Sequence, residues 1–145
     1  MIAGCAAVSS GMTTAERFRV MTLNLWGDQH WDERRDEILA WINHEDPDVL
    51  ALQEVVRGGP HDPMGWLTDQ TGMVAEFGGA PRGAGDEFGN AVLSRHPIRA
   101  SQRLELTRAG QDIERRYALR CTLDTPVGRW DVYSTHLAHL SLIHI

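Results

Sequence analysis

The fold is decided by FRVMTLNLWGDQHWDERRDEILAWINHEDPDVLALQEV, residues 18–55. It opens on an apolar segment bounded by polar residues, 18–26, which is typical of a strand. Apolar residues then recur among charges from about Asp32, the predicted N-cap, to His44, and this spacing predicts an amphipathic helix. The closing segment, 48–55, is almost continuously apolar, as in a strand covered on both faces. Strand, helix and strand with short connections predict a βαβ unit with two parallel strands.

The rest of the chain is typical of short strands joined by turns. Residues 57–73 and 77–90 are rich in Gly, Pro and Asp, and we expect loops there, with one short helix around residues 66–70. A further strand is predicted at residues 90–98. Two apolar segments on either side of a turn predict a hairpin over residues 117–136. We therefore expect a mixed, largely antiparallel sheet with at least one helix packed on it.

Asn24 and Glu54 are polar residues at the carboxyl ends of the two predicted parallel strands, where open α/β sheets bind ligands. A carboxylate among apolar residues is costly unless it is paired or bound to a metal. Mg2+ is typically held by one or two carboxylates, so Glu54 is either a metal ligand or the partner of an arginine such as Arg57. The amide of Asn24 can orient a carboxylate or contact phosphate, or it can satisfy its own backbone in a turn.

His136 closes the last predicted strand, in the sequence STHL. Histidine is the usual acid or base near neutral pH, so His136 is a candidate catalytic group. The alternative is a histidine hydrogen-bonded within the core or its rim. Two more histidines follow, His139 and His144, and a zinc-binding module built on them is a third possibility. His136 and His139 would point to opposite faces of a strand, which disfavours a shared metal.

Five segments follow one another as TLNLW, DVLALQEV, GNAVLSRHPI, ERRYALR and VYSTHL. Together they resemble the endonuclease/exonuclease/phosphatase superfamily over about residues 18–140. The resemblance implies an α/β fold, namely the N-terminal half of a four-layered α/β sandwich with mixed, largely antiparallel sheets. It also implies a hydrolase of phosphoesters that uses Mg2+ and sometimes Mn2+.

Site residues follow from the same resemblance. Glu54 is similar to the metal-binding glutamate of the family's QE motif, and Asn24 to the asparagine that supports the metal site. His136 is similar to the histidine that contacts phosphate or assists the leaving group in the deoxyribonuclease and sphingomyelinase branches. Arg116, in ERRYALR, lies where many members carry an arginine near the site. The implied chemistry is in-line attack of an activated water on phosphorus, with Mg2+ on Glu54 offsetting the developing charge.

The chain is expected to divide into three parts. Residues 1–16 are expected to be disordered or a misassigned start, because their IAGC resembles a lipoprotein cleavage site without the charged and apolar regions that precede one. Residues 17–139 form the expected domain, truncated before the family's later aspartate, asparagine and histidine motifs, and we expect this fragment to be inactive alone. Residues 140–145, LSLIHI, resemble a translated sequencing adapter and are expected to be read-through.

The composition restricts the classes of function. With 145 residues, of which 42% are hydrophobic and 23% charged, the chain is typical of one globular domain, and no apolar run is long enough to cross a bilayer. A net charge of -6 favours a small phosphoester or a lipid headgroup over duplex DNA as the substrate. No stable protein partner is implied, and the sequence does not decide between the cytoplasm and export from a bacterium. The alternative function is a non-catalytic binding domain that retains the fold.

Overall fold

The computed structural model describes residues 17–83, 85–106 and 116–137. Within these ranges the chain forms seven strands and two helices. In chain order the elements are β1 Val20–Asn24, α1 Trp31–Glu45, β2 Val49–Arg57, α2 Pro63–Thr71, β3 Val74–Gly83, β4 Asp86–Ser94, β5 Ile98–Glu105, β6 Tyr117–Thr125 and β7 Gly128–Thr135. Neither helix of the described ranges is long and apolar enough to span a membrane.

The βαβ unit at the start of the chain is confirmed. β1 and β2 are parallel and pair along the whole of β1. The helix between them begins at Trp31, and its N-cap is His30, so the prediction of Asp32 as the N-cap was wrong. The reason is that Trp31, only 2% exposed, packs into the core as the first helical residue and places Asp32 inside the first turn.

Two sheets confirm the predicted α/β class with mixed, largely antiparallel strands. The first has the order β1-β2-β4-β3 and is mixed, and the second has the order β5-β6-β7 and is antiparallel. β6 and β7 are the predicted hairpin. Side chains alternate across β2, since Leu50 and Leu52 pack toward the helices and Val49 packs toward the second sheet. Helices, mixed sheet and antiparallel sheet are therefore three successive layers, with β2 buried in the middle one.

The middle of the chain differs from the prediction. Residues 77–90, predicted as a loop, form most of the β3–β4 hairpin, and β5 is a further strand that the sequence pattern does not indicate. Gly79 and Gly89 face each other across this hairpin, where a Cβ on Gly89 would lie 2.4 Å from the Cα of Gly79. These glycines serve a close approach of two backbones rather than a turn. The predicted short helix is α2, longer at both ends because Asp62 caps it, accepting from the Gly65 N–H at 3.0 Å.

Several expectations concern residues outside the described ranges. They are the tail at 1–16, the adapter read-through at 140–145, and the histidines His139 and His144 that were considered for zinc. The outer limits of the domain, 17 and 139, also stay a prediction.

Candidate active site

Glu54 lies on a β-bulge inside β2. The prediction that it ends the strand was wrong. The register of β2 against β4 shifts between Leu52 and Val55, so Gln53 and Glu54 together face a single residue of β4. A bulge re-aims a side chain while the strand continues beyond it. Glu54 has a φ of 52°, in the left-handed region, and for a residue with a side chain this costs about 1–2 kcal/mol.

Asn24 holds the carboxylate of Glu54. Its Nδ2 donates to Oε1 of Glu54 at 2.7 Å, and its Oδ1 accepts from the backbone N–H of Trp26 at 2.8 Å. These two contacts fix the amide in one orientation, because only the nitrogen can donate and only the oxygen can accept. The end of β1 and the bulge of β2 are thereby joined.

The second oxygen of Glu54 is available to a ligand. Within the described ranges Oε2 has no hydrogen-bond or ion-pair partner, and 23% of the side chain is exposed. Arg57, the arginine considered as its partner, binds Glu87 instead. A single carboxylate suits Mg2+, which fills its octahedron with water and substrate oxygens. Across the described part of the chain, no group of three or more His, Cys, Asp or Glu side chains is placed to hold a metal, so such outside ligands would be needed.

His136 faces the same carboxylate from the second sheet. It directly follows β7, and its Nε2 lies 3.6 Å from Oε1 of Glu54. Its Nδ1 lies 3.4 Å from Nη1 of Arg116, the residue just before β6. A guanidinium can only donate, so Nδ1 accepts and a neutral imidazole carries its proton on Nε2, facing Glu54. The four residues named from the sequence thus lie in one polar row, Asn24–Glu54–His136–Arg116.

Two residues that the sequence analysis missed fasten β7 to β2. Ser134 is 1% exposed, and its Oγ donates to the carbonyl of Leu52 at 2.7 Å. The side-chain amide of Gln53 donates in turn to Oγ of Ser134 at 3.3 Å. These bonds set the spacing of the two sheets where Glu54 meets His136. The available signal was a serine two positions before His136, on the inward face of an alternating strand.

A second polar cluster lies on the loop after β1. Arg82 donates to both carboxylate oxygens of Asp28, at 3.1 and 3.0 Å, and to Asp86 at 2.6 Å. The hydrogen bonds from Arg82 hold the pKa of Asp28 below its usual value, and both carboxylates raise the pKa of Arg82. The same loop is bonded to the bulge, since the N–H of Gly27 donates to the carbonyl of Glu54 at 2.9 Å. The β1–α1 loop is therefore fixed between the bulge and the β3–β4 hairpin.

The chain is similar to known proteins in sequence and in fold. The Endonuclease/Exonuclease/phosphatase family matches residues 21–141. The human Nocturnin catalytic domain with bound sulfate anion is 26% identical, with a TM-score of 0.64 and coverage of 83% of this chain and 49% of that chain. An endonuclease/exonuclease/phosphatase family protein from Leptotrichia buccalis C-1013-b is 20% identical, with a TM-score of 0.67 and coverage of 84% and 55%. ANGEL2, a 2',3'-cyclic phosphatase, is 23% identical, with a TM-score of 0.61 and coverage of 84% and 41%.

No curated protein matches the chain. The chain spans about half the length of the solved structures that it resembles. At their low identity, the Leptotrichia protein and ANGEL2 show the fold alone. The family match begins at the second residue of β1 and runs past the end of β7, so it includes every strand and helix described above apart from Val20. On this match, the chain belongs to the endonuclease/exonuclease/phosphatase family.

Proposed function

We propose that the protein is a Mg2+-dependent phosphoester hydrolase, able to use Mn2+ instead, and that the polar row is part of its active site. The observation that carries the proposal is the available Oε2 of Glu54, in a carboxylate held by Asn24 and faced by His136. Members of the family to which the chain belongs hydrolyse phosphoesters, which supports the general reaction.

Glu54 is the metal ligand in this proposal. Because Asn24 occupies Oε1, Oε2 is the oxygen left for an ion. Bound Mg2+ would supply stabilisation of the negative charge that develops on phosphate and on the leaving oxygen. A single protein carboxylate leaves most of the coordination shell to water and phosphate, so we expect metal and substrate to bind cooperatively.

His136 is the proposed hydrogen-bond donor to the reacting phosphate. Its Nε2–H can donate to a phosphate oxygen or to the leaving oxygen, because the contact with Arg116 occupies Nδ1. A positioned hydrogen-bond donor to charge that develops in the transition state contributes about a hundred- to a thousandfold in rate. The guanidinium of Arg116 adds a positive charge beside the imidazole.

The proposed substrates are phosphoesters, from small molecules and lipid headgroups to nucleic acid. Nocturnin, at 26% identity, holds a sulfate anion, and sulfate resembles phosphate in shape and charge. The net charge of -6 favours the smaller substrates over duplex DNA. We propose no stable protein partner.

The test is the hydrolysis of bis-p-nitrophenyl phosphate with Mg2+ by protein expressed from the full reading frame of the gene. Glu54→Gln should lower kcat by about a hundredfold or more, because an amide is a poor Mg2+ ligand. Glu87→Gln is the matched control, since Glu87 is a carboxylate of the same sheet that pairs with Arg57, and it should keep full activity. Turnover that survives Glu54→Gln would contradict the proposal.

The 145-residue chain can be measured in parallel. We propose that it binds Mg2+ and phosphate through Glu54 in titration calorimetry but does not hydrolyse the ester, and turnover by this chain would show otherwise. If the full-length protein binds Mg2+ and phosphate without turnover, the alternative of a non-catalytic binding domain is favoured.

A further inference from the structure

Trp26 is an exposed aromatic residue that lies close in sequence to Asn24 of the polar row. Trp26 lies two residues after Asn24, and 56% of its surface is exposed. The backbone N–H of Trp26 donates to Oδ1 of Asn24, and the backbone N–H of the next residue, Gly27, donates to the carbonyl of Glu54. The backbone of Trp26 is therefore bonded to the edge of the proposed site, and more than half of the residue is open to solvent.

The backbone at Trp26 is strained. Its φ is 57°, in the left-handed region that bulky side chains rarely adopt. In the described ranges the other non-glycine residues with a positive φ are His30, Asp46 and Glu54. Asp46 is the C-cap of α1, where this conformation is ordinary. Glu54 lies on the bulge, and Trp26 and His30 lie on the loop bonded to it. Backbone strain of this kind is common where side chains contact a ligand.

Hydrogen bonds hold the loop that carries Trp26. Arg82 binds both oxygens of Asp28, and Arg34 donates to the carbonyl of Leu25 at 3.0 Å. The loop is thus attached to β3 and to α1 as well as to the bulge of β2. Because the loop backbone is held in this way and the ring contacts Arg34 and His30, binding a ligand against the indole loses little conformational entropy.

The neighbours of the indole favour a nucleobase over a cationic headgroup. The guanidinium of Arg34 lies 5.5 Å from the centroid of the Trp26 ring, and the ring of His30 stacks on it at 6.3 Å with 28° between the planes. A permanent cation at the ring repels a quaternary ammonium group, which would otherwise favour an indole. An uncharged nucleobase meets no such repulsion, and its π-face stacks on an aromatic ring whichever base it is.

We propose that Trp26 stacks on the nucleobase of a nucleoside phosphoester whose phosphate lies at Glu54 and His136. This inference rests on the proposed function and gives its substrate class. Stacking tolerates every base, so we expect a general preference for nucleoside phosphates and little preference among the bases.

The test compares two ligands that share a sugar and a phosphate. Adenosine 5'-monophosphate and ribose 5-phosphate are titrated with Mg2+ into the full-length protein in a calorimeter. The nucleotide should bind about tenfold more tightly or better. Trp26→Ala should abolish this difference by weakening nucleotide binding alone, whereas Trp26→Phe should keep most of it. Trp130→Ala is the matched control, because Trp130 is 48% exposed near the opposite end of β7 from His136, and both affinities should be unchanged.

Three outcomes would overturn the inference. One is equal affinity for both ligands in the unsubstituted protein, and another is a nucleotide preference that survives Trp26→Ala. The third is phosphocholine binding that exceeds ribose 5-phosphate binding and is lost in Trp26→Ala, which would indicate a lipid headgroup. Failure of the proposed function differs from all of these, since it appears as ester hydrolysis that Glu54→Gln does not reduce.

Discussion

Residues 49–52 and residues 53–57 belong to one strand, β2, but differ in register and in backbone conformation. The four residues of the first half are buried, and they pair in unbroken register with β1 on one side and β4 on the other. The second half contains the bulge, the left-handed Glu54 and an exposed last residue, Arg57. The regular half secures the position of the strand, and this allows the irregular half to carry strain and a partly exposed carboxylate.

The largest expected effects come from one substitution in each half. Leu50→Ala should lower the free energy of unfolding by about 2–5 kcal/mol, because Leu50 is fully buried in the cluster beneath the helices. The kcat of the folded fraction should not change. Glu54→Gln should do the reverse, losing activity while the free energy of unfolding stays within about 0.5 kcal/mol, since the amide oxygen can still accept from Asn24.

Urea unfolding and ester hydrolysis on the same two variants measure this contrast. If Leu50→Ala lowered the kcat of the folded protein as much as Glu54→Gln does, the two halves of β2 would not be separable in this way.

A smaller effect is expected where the regular half meets the second sheet. Ser134→Ala removes the donor to the carbonyl of Leu52 and should lower the free energy of unfolding by about 1 kcal/mol. It should also lower kcat, because His136 follows two residues later and loses its support. Ser101→Ala is the control, since Ser101 donates to Glu76 at an exposed position and should change neither quantity. A loss of stability with an unchanged kcat would show that Ser134 does not position His136.

The smallest effect is expected at the loop attached to the irregular half. The hydrogen bond from Arg82 lowers the pKa of Asp28 from 3.8. A carboxyl group with a lowered folded-state pKa stabilises the fold above its unfolded-state pKa, and this contribution is lost as the pH falls through the folded-state value. Asp28→Asn should therefore lower the free energy of unfolding at neutral pH by less than about 1 kcal/mol, and the difference should vanish in acid.

Urea unfolding at both pH values checks this dependence. Asp69→Asn is the control, because Asp69 is an exposed residue of α2 without an ion pair among the described residues. A difference for Asp28→Asn that is the same at neutral and acid pH would mean that charge on Asp28 is not its source.

Local sequence patterns predict the part of the fold that local physics determines. The βαβ unit could be predicted because apolar periodicity and short connections suffice. Polar residues after the apolar segments indicated Asn24, which ends β1, and Glu54, which lies on the bulge of β2 and not at its end. The hairpin of β3 and β4 could not be predicted from local patterns, because Gly79 and Gly89 are each typical of a turn when the partner strand is not considered. The glycine pair is informative only once both backbones are placed together.

The site required information that no single segment contains. The bulge at Glu54 depends on how β2 pairs with β4, and the contact with His136 depends on how two sheets pack. His136 was a candidate from its place at the end of a predicted strand, and Arg116 was named only through the family resemblance. Ser134, which holds β7 against β2, was missed because its inward position in an alternating strand is not distinctive without the partner strand.

The bulge also changes the alternation of side chains between the two faces of β2. Leu52 and Val55 are an odd number of positions apart, yet both pack toward the helices, because one extra residue lies between them. Deleting either Gln53 or Glu54 would restore strict alternation and leave every core side chain on its present face. A homologous chain that lacks one residue here would keep this core, but its carboxylate would no longer have the orientation of Glu54. In an alignment, a one-residue gap at this position would therefore mark a family member that has the same fold without this site.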